Sequence, residues 1–428
     1  MATVVLWLSL GLLAYVFVGY PLVAWLRARL WPMPPAAAPW EPMVTVVVVA
    51  HNEADRIAAR LDNLLALDYP REKLEIRLAS DGSTDATVER ARAYESSGVV
   101  VRAFHTRRGK SAVVNDVVPS ARGDIVVMAD ARQRFDPGAV RALVANFADP
   151  RVGAVSGELM IESDGAGAAV GKGVGFYWRY EKFIRRAESR ANSTVGATGA
   201  IYAIRRDLFE PIPEDTLLDD VLVPLRIVKN GYRVLFEPAA RAYDTASTAA
   251  KQEFVRKVRT IAGTFQLFAR EGWLFDPRRN PVWFETFSHK GLRLLMPALQ
   301  ALALAANASL VAEPIYAGLF AGQMMFYVAA LGGCSGRTRR PGFVVTVPYT
   351  VCLLSWATIV GFVQCATRRQ KATWERIDVP SLKSQVAGST MRLQTSDLKL
   401  SPSSSQIASP RWTSLRPSFP FLRRSSRV

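Results

Sequence analysis

The sequence contains few cysteines, and this scarcity excludes several classes of protein. The three cysteines are Cys334, Cys352 and Cys365, all in or beside apolar segments near the C-terminus. Their spacing matches no zinc site, and an odd number of cysteines gives no disulfide framework. We therefore interpret them as inert thiols and expect neither a zinc module nor a small disulfide-stabilised domain.

Acidic residues are also scarce, because 37 Asp and Glu stand against 54 Lys and Arg, a formal net charge of +17. Such an excess can indicate binding to nucleic acid or to anionic lipid. Its distribution favours lipid: residues 367–428 carry twelve basic and three acidic residues, and Arg27 and Arg29 flank an apolar segment. Basic residues beside membrane spans mark the cytosolic side. We therefore expect membrane lipids, and not nucleic acid, as partners.

Charge is absent from residues 1–26 and is sparse again between about residues 290 and 366. At a rise of ~1.5 Å per residue, the first run can cross a hydrocarbon layer of ~30 Å. A cleaved signal peptide would instead have a basic start and a shorter apolar stretch. We predict an outside-to-inside transmembrane helix there and three further candidate spans. The first of these begins with basic residues and can lie in the interface, so three or four spans remain open. The candidates are residues 292–312, 314–333 and 343–366.

Strand and helix signals alternate between the two apolar regions. The β-branched run Val44–Ala50 is typical of a buried parallel strand. The alternation predicts an α/β fold with a mostly parallel sheet, whose strand carboxyl ends meet at one ligand-binding edge. Beyond Asp136 the pattern is weaker. Further strands are predicted at 74–79, 99–104 and 125–129, and helices at 53–67, 85–97, 111–118, 139–147, 176–188 and 253–268.

The last part of the chain, from Ser381 onward, is rich in Ser, Pro and Arg. It contains too few large apolar groups to offset its chain entropy, which predicts disorder. The sequence thus divides into five segments. They are an N-terminal transmembrane helix (1–27), a Pro-rich linker (28–43), a cytosolic α/β domain (44–270), interface and transmembrane helices (271–366), and a basic tail (367–428).

Polar residues follow the first two predicted strands. His51, Asn52 and Glu53 come directly after the first strand, where exposed backbone amides at a helix start suit a nucleotide. A simple helix cap by Asn52 would explain the same pattern. Asp81 ends the second strand, and its carboxylate can accept hydrogen bonds from a base or a ribose hydroxyl.

The third and fourth predicted strands are followed by a basic loop and by a lone carboxylate. The loop contains Arg107 and Lys110 around a glycine, which suits a pyrophosphate, although it lacks the spacing of a Walker loop. Asp130 ends the fourth strand. It can hold a divalent cation that bridges diphosphate oxygens, or only accept hydrogen bonds.

Two further motifs carry charge. Asp219 and Asp220 are adjacent carboxylates between apolar residues. Such surroundings raise the proton affinity of a carboxylate, which suits a general base. The acidic first turn of a helix would give the same pattern. Arg256 and Arg259 are three residues apart on a predicted helix. They can grip a diphosphate, or form a basic face at a membrane surface.

The order of these motifs resembles the membrane-bound, processive branch of family 2 glycosyltransferases, which includes cellulose, hyaluronan and chitin synthases. The resemblance covers about residues 44–270 and implies a GT-A-like catalytic domain facing the cytosol. It implies nucleoside contacts for Asp81, diphosphate contacts for Lys110 and the role of catalytic base for Asp220. The segment that it places near the acceptor sugar is Thr198, Gly199 and Ala200.

The chain departs from the family pattern at three positions. Arg132 replaces the second Asp of the Asp-x-Asp metal motif, so that Asp130 is left as a single carboxylate for Mg²⁺ or Mn²⁺. Asp219 replaces the usual Glu of the acidic pair. In the family, the motif Gln-x-x-Arg-Trp ends in a tryptophan that helps to hold the end of the glycan. Here the arginine of that motif is Arg259, and Thr260 replaces the tryptophan.

The resemblance implies an integral protein of the bacterial inner membrane. Its activity would be transfer, with inversion, from a UDP-sugar to a growing β-linked polysaccharide, with possible export and accessory export subunits. Two alternatives stay open, namely transfer of a single sugar to a lipid-linked acceptor and a basic membrane scaffold without activity. Product size would separate the two enzymes, and a scaffold would show no turnover.

Overall fold

The structure is a computed structural model that describes residues 1–162, 169–245, 250–334 and 342–367. The disorder predicted from Ser381 onward therefore falls on residues outside the described ones. The strands are β1 (Val44–Ala50), β2 (Leu74–Asp81), β3 (Val99–Phe104), β4 (Ile125–Asp130), β5 (Arg134–Phe135), β6 (Val152–Glu162), β7 (Ile201–Arg205) and β8 (Arg233–Thr245). The helices are α1 (Ala2–Ala14), α2 (Tyr20–Leu30), α3 (Ala54–Leu65), α4 (Thr87–Arg92), α5 (Lys110–Val117), α6 (Ala139–Ala145), α7 (Ala169–Ala191), α8 (Asp219–Lys229), α9 (Ala250–Arg270), α10 (Trp283–Glu285), α11 (Leu292–Leu294), α12 (Met296–Ala308), α13 (Pro314–Cys334) and α14 (Phe343–Ala366).

The eight strands form one sheet in the order β3-β2-β1-β4-β7-β6-β8-β5. The first four strands run parallel, with Val44 of β1 opposite Leu74 of β2 and Ile125 of β4. β7 runs antiparallel to β4 and β6, β6 is parallel to β8, and β5 is antiparallel to β8. The predicted α/β fold with a mostly parallel sheet is confirmed.

The sheet is buried on both faces, which explains the continuous valine run of β1. Val46 and Val48 pack with α3 and α6 on one face, whereas Val47 packs with α5 and α8 on the other. A strand covered by helices on both sides needs apolar residues at every position and not at alternate ones. The first four strands therefore lie within a residue or two of their predicted bounds.

Several predicted elements differ from the observed ones. The helix predicted at 85–97 is shorter, because α4 gives way to a 3₁₀ turn that ends at Gly98 in the left-handed region (φ 81°). Strands β6, β7 and β8 were not predicted. They pair in mixed directions, and Pro238 and a bulge after Ser156 interrupt the apolar pattern. The candidate span at 292–312 is bent and shorter than predicted, because Trp283–Leu294 and Met296–Ala308 meet at 59° and α12 ends at Ala308, so the choice between three and four spans stays open.

Within the described residues, three helices are long and apolar enough to cross a membrane, or four if the bent pair counts as one span. They are Ala2–Leu30, which includes a π-helical segment at Tyr15–Gly19, together with Pro314–Gly333 and Phe343–Ala366. The bent pair is Trp283–Leu294 and Met296–Ala308, with a second π-helical segment at Thr286–Gly291.

The apolar helices pack directly against the α/β domain. Tyr20 on α2 packs in one buried cluster with Ile184 and Ala187 of α7. On the other side, Phe265 of α9 lies 5.3 Å from Phe362 of α14. A side chain on Gly361 would come within 3.0 Å of Ile261, so glycine permits the close approach of α14 to α9.

Candidate active site

The turns after β1 and β2 are tied to each other by short polar side chains. His51 Nδ1 lies 2.7 Å from the main-chain oxygen of Asp81. Asn52 adopts a left-handed conformation (φ 55°), and its side-chain oxygen accepts a hydrogen bond from the Thr84 N–H at 2.8 Å. Asn52 is not the cap of α3, because Glu53 occupies that position without a side-chain cap bond. The alternative interpretation of this motif as a helix cap by Asn52 is therefore wrong.

Asp81 fixes the basic loop that follows β3. Its two carboxylate oxygens accept hydrogen bonds from the main-chain N–H groups of Arg108 (2.7 Å) and Gly109 (2.9 Å), and the side chain is 4% exposed. Gly82, next in sequence, has φ 59°, and a Cβ there would lie 2.5 Å from the Arg107 nitrogen. Asp81 thus positions the start of α5, and each carboxylate oxygen keeps a second lone pair.

Lys110, the first residue of α5, joins two of the predicted acidic motifs. Its ammonium lies 3.1 Å from Asp130 Oδ1 at the end of β4 and 3.3 Å from Asp219 Oδ2 at the start of α8. Burial alone would lower the pKa of Lys110, but Asp130 and Asp219 together hold it well above its usual range. Lys110 therefore stays cationic at the centre of the site.

Asp220 is held at the start of α8 by the segment that precedes β7. Its Oδ2 accepts a hydrogen bond from the Gly199 N–H at 2.9 Å, and its main-chain oxygen accepts one from Ala197 at 2.7 Å. Desolvation in the cleft and the charge of Asp219 raise the pKa of Asp220 to about 6, although Lys110 acts in the opposite direction. A carboxylate with such a pKa suits proton abstraction near neutral pH.

Arg259 approaches the same site from α9. Burial lowers its pKa, and the three carboxylates Asp219, Asp220 and Asp130 counteract that effect. Arg256 lies on the same helix three residues earlier and is partly buried. The structure therefore brings Lys110, Asp130, the acidic pair and Arg259 together.

The donor set at Asp130 does not fit a preformed metal cage. Arg132 pairs with Asp244, with 3.4 Å between Nη2 and Oδ2, and Gln133 donates a hydrogen bond to the same oxygen at 3.0 Å. One oxygen of Asp130 faces the ammonium of Lys110. In the described ranges there is no group of three His, Cys, Asp or Glu residues that could hold a metal ion.

The predicted acceptor segment lies beside Asp220. The main-chain N–H of Thr198 donates to Ser156 Oγ at 2.9 Å, and its hydroxyl accepts a hydrogen bond from Arg185 at 2.6 Å. A side chain at Gly199 would come within 3.0 Å of Asp220 Oδ2, so glycine leaves room for the carboxylate. Ala200 is buried and leads into β7.

Two cationic residues near the site were missed by sequence reasoning. Both Arg185, on α7, and Lys290, in the segment before α11, act on the charge of Asp220. Arg185 belongs to an amphipathic helix, and Lys290 begins an apolar segment, so neither lies at a strand end. The one sequence feature that points to Lys290 is the basic start of this apolar segment, and that feature predicts a membrane interface and not a catalytic site.

Comparison with known proteins agrees with this geometry. Residues 45–212 match the family model described as Glycosyl transferase family 2. The chain is 26% identical over 251 residues to poly-β-1,6-N-acetyl-D-glucosamine synthase of Staphylococcus aureus (strain MSSA476), covering 57% of this chain and 60% of the relative. It is 24% identical over 265 residues to a probable glycosyltransferase, YdaM, of Bacillus subtilis (strain 168), covering 58% and 61%. The chain thus spans about 60% of the length of the curated relatives that it matches.

Among solved structures, the chain resembles the mannosyltransferase PcManGT from Pyrobaculum calidifontis, which was solved in complex with GDP-mannose and Mn²⁺. The TM-score is 0.66 at 26% identity, and the match covers 86% of this chain and all of that one. The fold, the strand-end site and the family match therefore agree with one another. Residues 45–212 thus match the glycosyltransferase family 2 model, the fold is GT-A-like, and the chain adds helices that are apolar enough to cross a membrane.

Proposed function

We propose that the protein is an inverting glycosyltransferase of the bacterial inner membrane, which moves a sugar from a UDP-sugar to an acceptor hydroxyl. The observation that carries this proposal is the convergence of Lys110 on Asp130 and Asp219, beside the base candidate Asp220. The family match and the polysaccharide synthase among the relatives support it. The match to family 2 argues against the scaffold alternative. A scaffold also has no need for a cluster of charged residues at the strand ends.

The donor would bind across the strand ends. The turns after β1 and β2 (His51 to Glu53, and Asp81) would contact the nucleoside. Lys110 and Arg259 would contact the diphosphate, with Arg256 as a further cation on α9. Because Asp81 also fixes the loop that carries Lys110, nucleoside and diphosphate recognition would depend on each other.

The chemical step would be a single displacement. Asp220 accepts the proton of the acceptor hydroxyl while the oxygen forms a bond to the anomeric carbon. The bond from that carbon to the diphosphate breaks on the opposite face, and UDP leaves with the electron pair. An α-linked donor thereby gives a β-linked product.

Charge that develops on the leaving diphosphate would be stabilised by Lys110 and Arg259. Preorganised cations aimed at developing charge are usually the largest single contribution to catalysis. Asp130 is the carboxylate at which Mg²⁺ or Mn²⁺ would be held together with diphosphate oxygens, as a neighbour's Mn²⁺ suggests. Since the residues present do not fit a complete cage, we assign no step to a metal.

Two acceptors are compatible with this site. A growing β-linked polysaccharide, with export through the membrane helices or accessory subunits, is supported by the synthase relative. A lipid-linked acceptor is favoured by the cations Arg185 and Lys290 beside Asp220. The α/β domain would face the cytosol in either case, since its flanking basic residues follow the positive-inside pattern.

The central test uses the purified full chain in nanodiscs with a panel of UDP-sugars, and it measures UDP release and product mass. Asp220→Asn should lower the rate of transfer by roughly 10²- to 10⁴-fold, the usual contribution of a general base. Its affinity for UDP should stay the same, because the diphosphate contacts are on other residues. Asp116→Asn, a surface carboxylate, serves as the control. Loss of UDP binding together with activity would show that the role of Asp220 is misassigned.

A further inference from the structure

A cluster of charged side chains fills the junction between α7 and the bent helix pair. Glu181 lies 3.0 Å from His289, 3.0 Å from Arg293 and 3.6 Å from Arg185, measured between nitrogen and carboxylate oxygen. The other carboxylate of the cluster, Glu188, lies 2.7 Å from the second ring nitrogen of His289. These contacts account for Arg185, His289 and Arg293.

Lys290 is the exception in this cluster. Across the part of the chain that the structure describes, its ammonium forms no ion pair or hydrogen bond, although the side chain is partly buried. The charges that act on it are Glu181, Arg185, Arg293 and Glu188, of which the two carboxylates already face other cations. Asp220 acts on Arg185 and Lys290 as well, but no carboxylate of the described residues forms an ion pair with the Lys290 ammonium, which can therefore still contact an anionic ligand.

The Lys290 ammonium lies on the acceptor side of the catalytic cleft. Arg185 donates a hydrogen bond to the Thr198 hydroxyl at 2.6 Å, and Gly199, the next residue, holds Asp220 at 2.9 Å. Lys290 also acts on the charge of Asp220. An anion held by Arg185 and Lys290 would therefore lie next to the hydroxyl from which Asp220 removes the proton.

The same junction faces the apolar helices. Lys290 belongs to the π-helical segment Thr286–Gly291, and the residues that follow, Leu292 and Met296, pack against Val16 of the N-terminal helix. A cation beside these apolar helices is reached more readily by a molecule anchored in the membrane than by one in solution. The position therefore favours a lipid over a free glycan as the source of the anion.

We propose that Arg185 and Lys290 bind a phosphate of the acceptor, which is a membrane lipid that carries its sugar on a phosphate or diphosphate. The guanidinium supplies directional hydrogen bonds to phosphate oxygens, and the ammonium supplies a point charge. The inference rests on the proposed transferase function and specifies the acceptor of that same site. The transferred sugar then joins the hydroxyl of the lipid-linked sugar, and the phosphate itself takes no part in bond breaking.

The test compares two acceptors with the full chain in nanodiscs of neutral lipid. One is N-acetylglucosamine on an octyl diphosphate, and the other is the uncharged octyl glycoside of the same sugar. For the wild type, we expect the diphosphate to be the better acceptor. Lys290→Met should raise the KM for it by about 10- to 100-fold, the contribution of one charge-assisted hydrogen bond. The KM for the UDP-sugar should not change.

Three controls keep the interpretation unambiguous. Lys290→Arg should restore the low KM, and Lys229→Met, which removes an exposed cation of α8, should have no effect. Slow transfer of the donor sugar to water reports on the donor side and, at a pH well above the acidic limb, where Asp220 is ionised in both proteins, should be the same in Lys290→Met and the wild type. If no donor releases UDP, the proposed function itself fails, and this result is distinct from a failure of the acceptor inference.

Equal use of both acceptors by the wild type, or an unchanged KM in Lys290→Met with UDP release intact, would overturn the inference alone. Preference for an oligosaccharide that contains uronic acid over the lipid diphosphate would also overturn it, because the anion would then be a carboxylate of a glycan. A KM effect confined to the diphosphate acceptor supports it.

Discussion

The surroundings of the Asp220 carboxyl set its pKa, and this pKa predicts how the rate of transfer depends on pH. Burial and Asp219 raise its pKa to about 6, while Lys110, Lys290 and Arg185 oppose that shift. A base must be ionised, so kcat/KM should fall as the pH drops below about 6 and level off above it. The measurement is a pH profile of UDP release at acceptor concentrations below the KM, where the rate reports kcat/KM.

Two neighbouring charges provide opposite controls for that profile. Asp219→Asn removes the like charge, so the acidic limb should move to lower pH. Lys290→Met removes an opposing cation, so the limb should move to higher pH. A limb that stays at the same pH in both variants would show that another group controls it.

Arg132 offers a direct test of metal use at the residue scale. In the wild type this side chain pairs with Asp244, so Asp130 has no second carboxylate at that position. Arg132→Asp should create a stronger site, because it adds a ligand and also removes the ion pair with Asp244. We expect Mn²⁺ to increase the affinity for UDP several-fold more in Arg132→Asp than in the wild type. The comparison is UDP titration by calorimetry in Mn²⁺ and in EDTA, and an equal effect of Mn²⁺ on both proteins would contradict it.

The part of the site that could be predicted from sequence is the part built on parallel strands. Asp81 and Asp130 end strands whose carboxyl ends must meet, so their proximity follows from the fold alone. Arg185 and Lys290 lie on helices whose packing depends on contacts far apart in sequence. No local pattern encodes that Arg185 reaches Thr198 or that Lys290 lies near Asp220.

At the scale of elements, the loop between β3 and α5 depends on one carboxylate of β2. Asp81→Ala would leave the N–H groups of Arg108 and Gly109 without their acceptor, at a cost of about 1–3 kcal/mol for a buried donor. Lys110 would then lose its fixed position. We expect a lower melting temperature and weaker UDP binding, measured by thermal unfolding and calorimetry.

A matched control exists in the same loop. Asp116 pairs with the Arg108 side chain at 2.7 Å on the surface, where ion pairs contribute little. Asp116→Ala should therefore leave the melting temperature and UDP affinity nearly unchanged. If both variants behave alike, the loop is not fixed by Asp81.

The elements predicted well are those whose residues match one simple environment. β1 and α14 appear with the predicted bounds because continuous apolar runs suit a strand buried on both faces or a helix in lipid. The bent pair could not be predicted, since its first half combines apolar residues with Glu285, His289 and Arg293. Those residues are paired with α2 and α7, which only the folded chain brings near.

On the scale of the whole molecule, the junction at Glu188 connects three parts of the chain. One of its oxygens accepts a hydrogen bond from Tyr20 of the N-terminal helix and faces His289 of the bent pair at 2.7 Å. The other accepts one from Thr194, which precedes β7, at 3.2 Å. A single buried carboxylate thus links the first apolar helix, the bent pair and the α/β domain.

His289 is the residue through which this link can be tested. Both of its ring nitrogens face carboxylate oxygens, those of Glu188 and Glu181. Removal of the imidazole would leave buried carboxylate oxygens without a hydrogen-bond partner, which typically costs about 1–3 kcal/mol for each buried group. His289→Ala should therefore lower the melting temperature in detergent by several degrees and should loosen the N-terminal helix from the α/β domain. Limited proteolysis after Leu30, in the linker, would detect that change.

His105→Ala removes an exposed histidine after β3 and should leave both measurements unchanged. Unaltered unfolding of His289→Ala would mean that apolar packing alone joins the membrane helices to the catalytic domain.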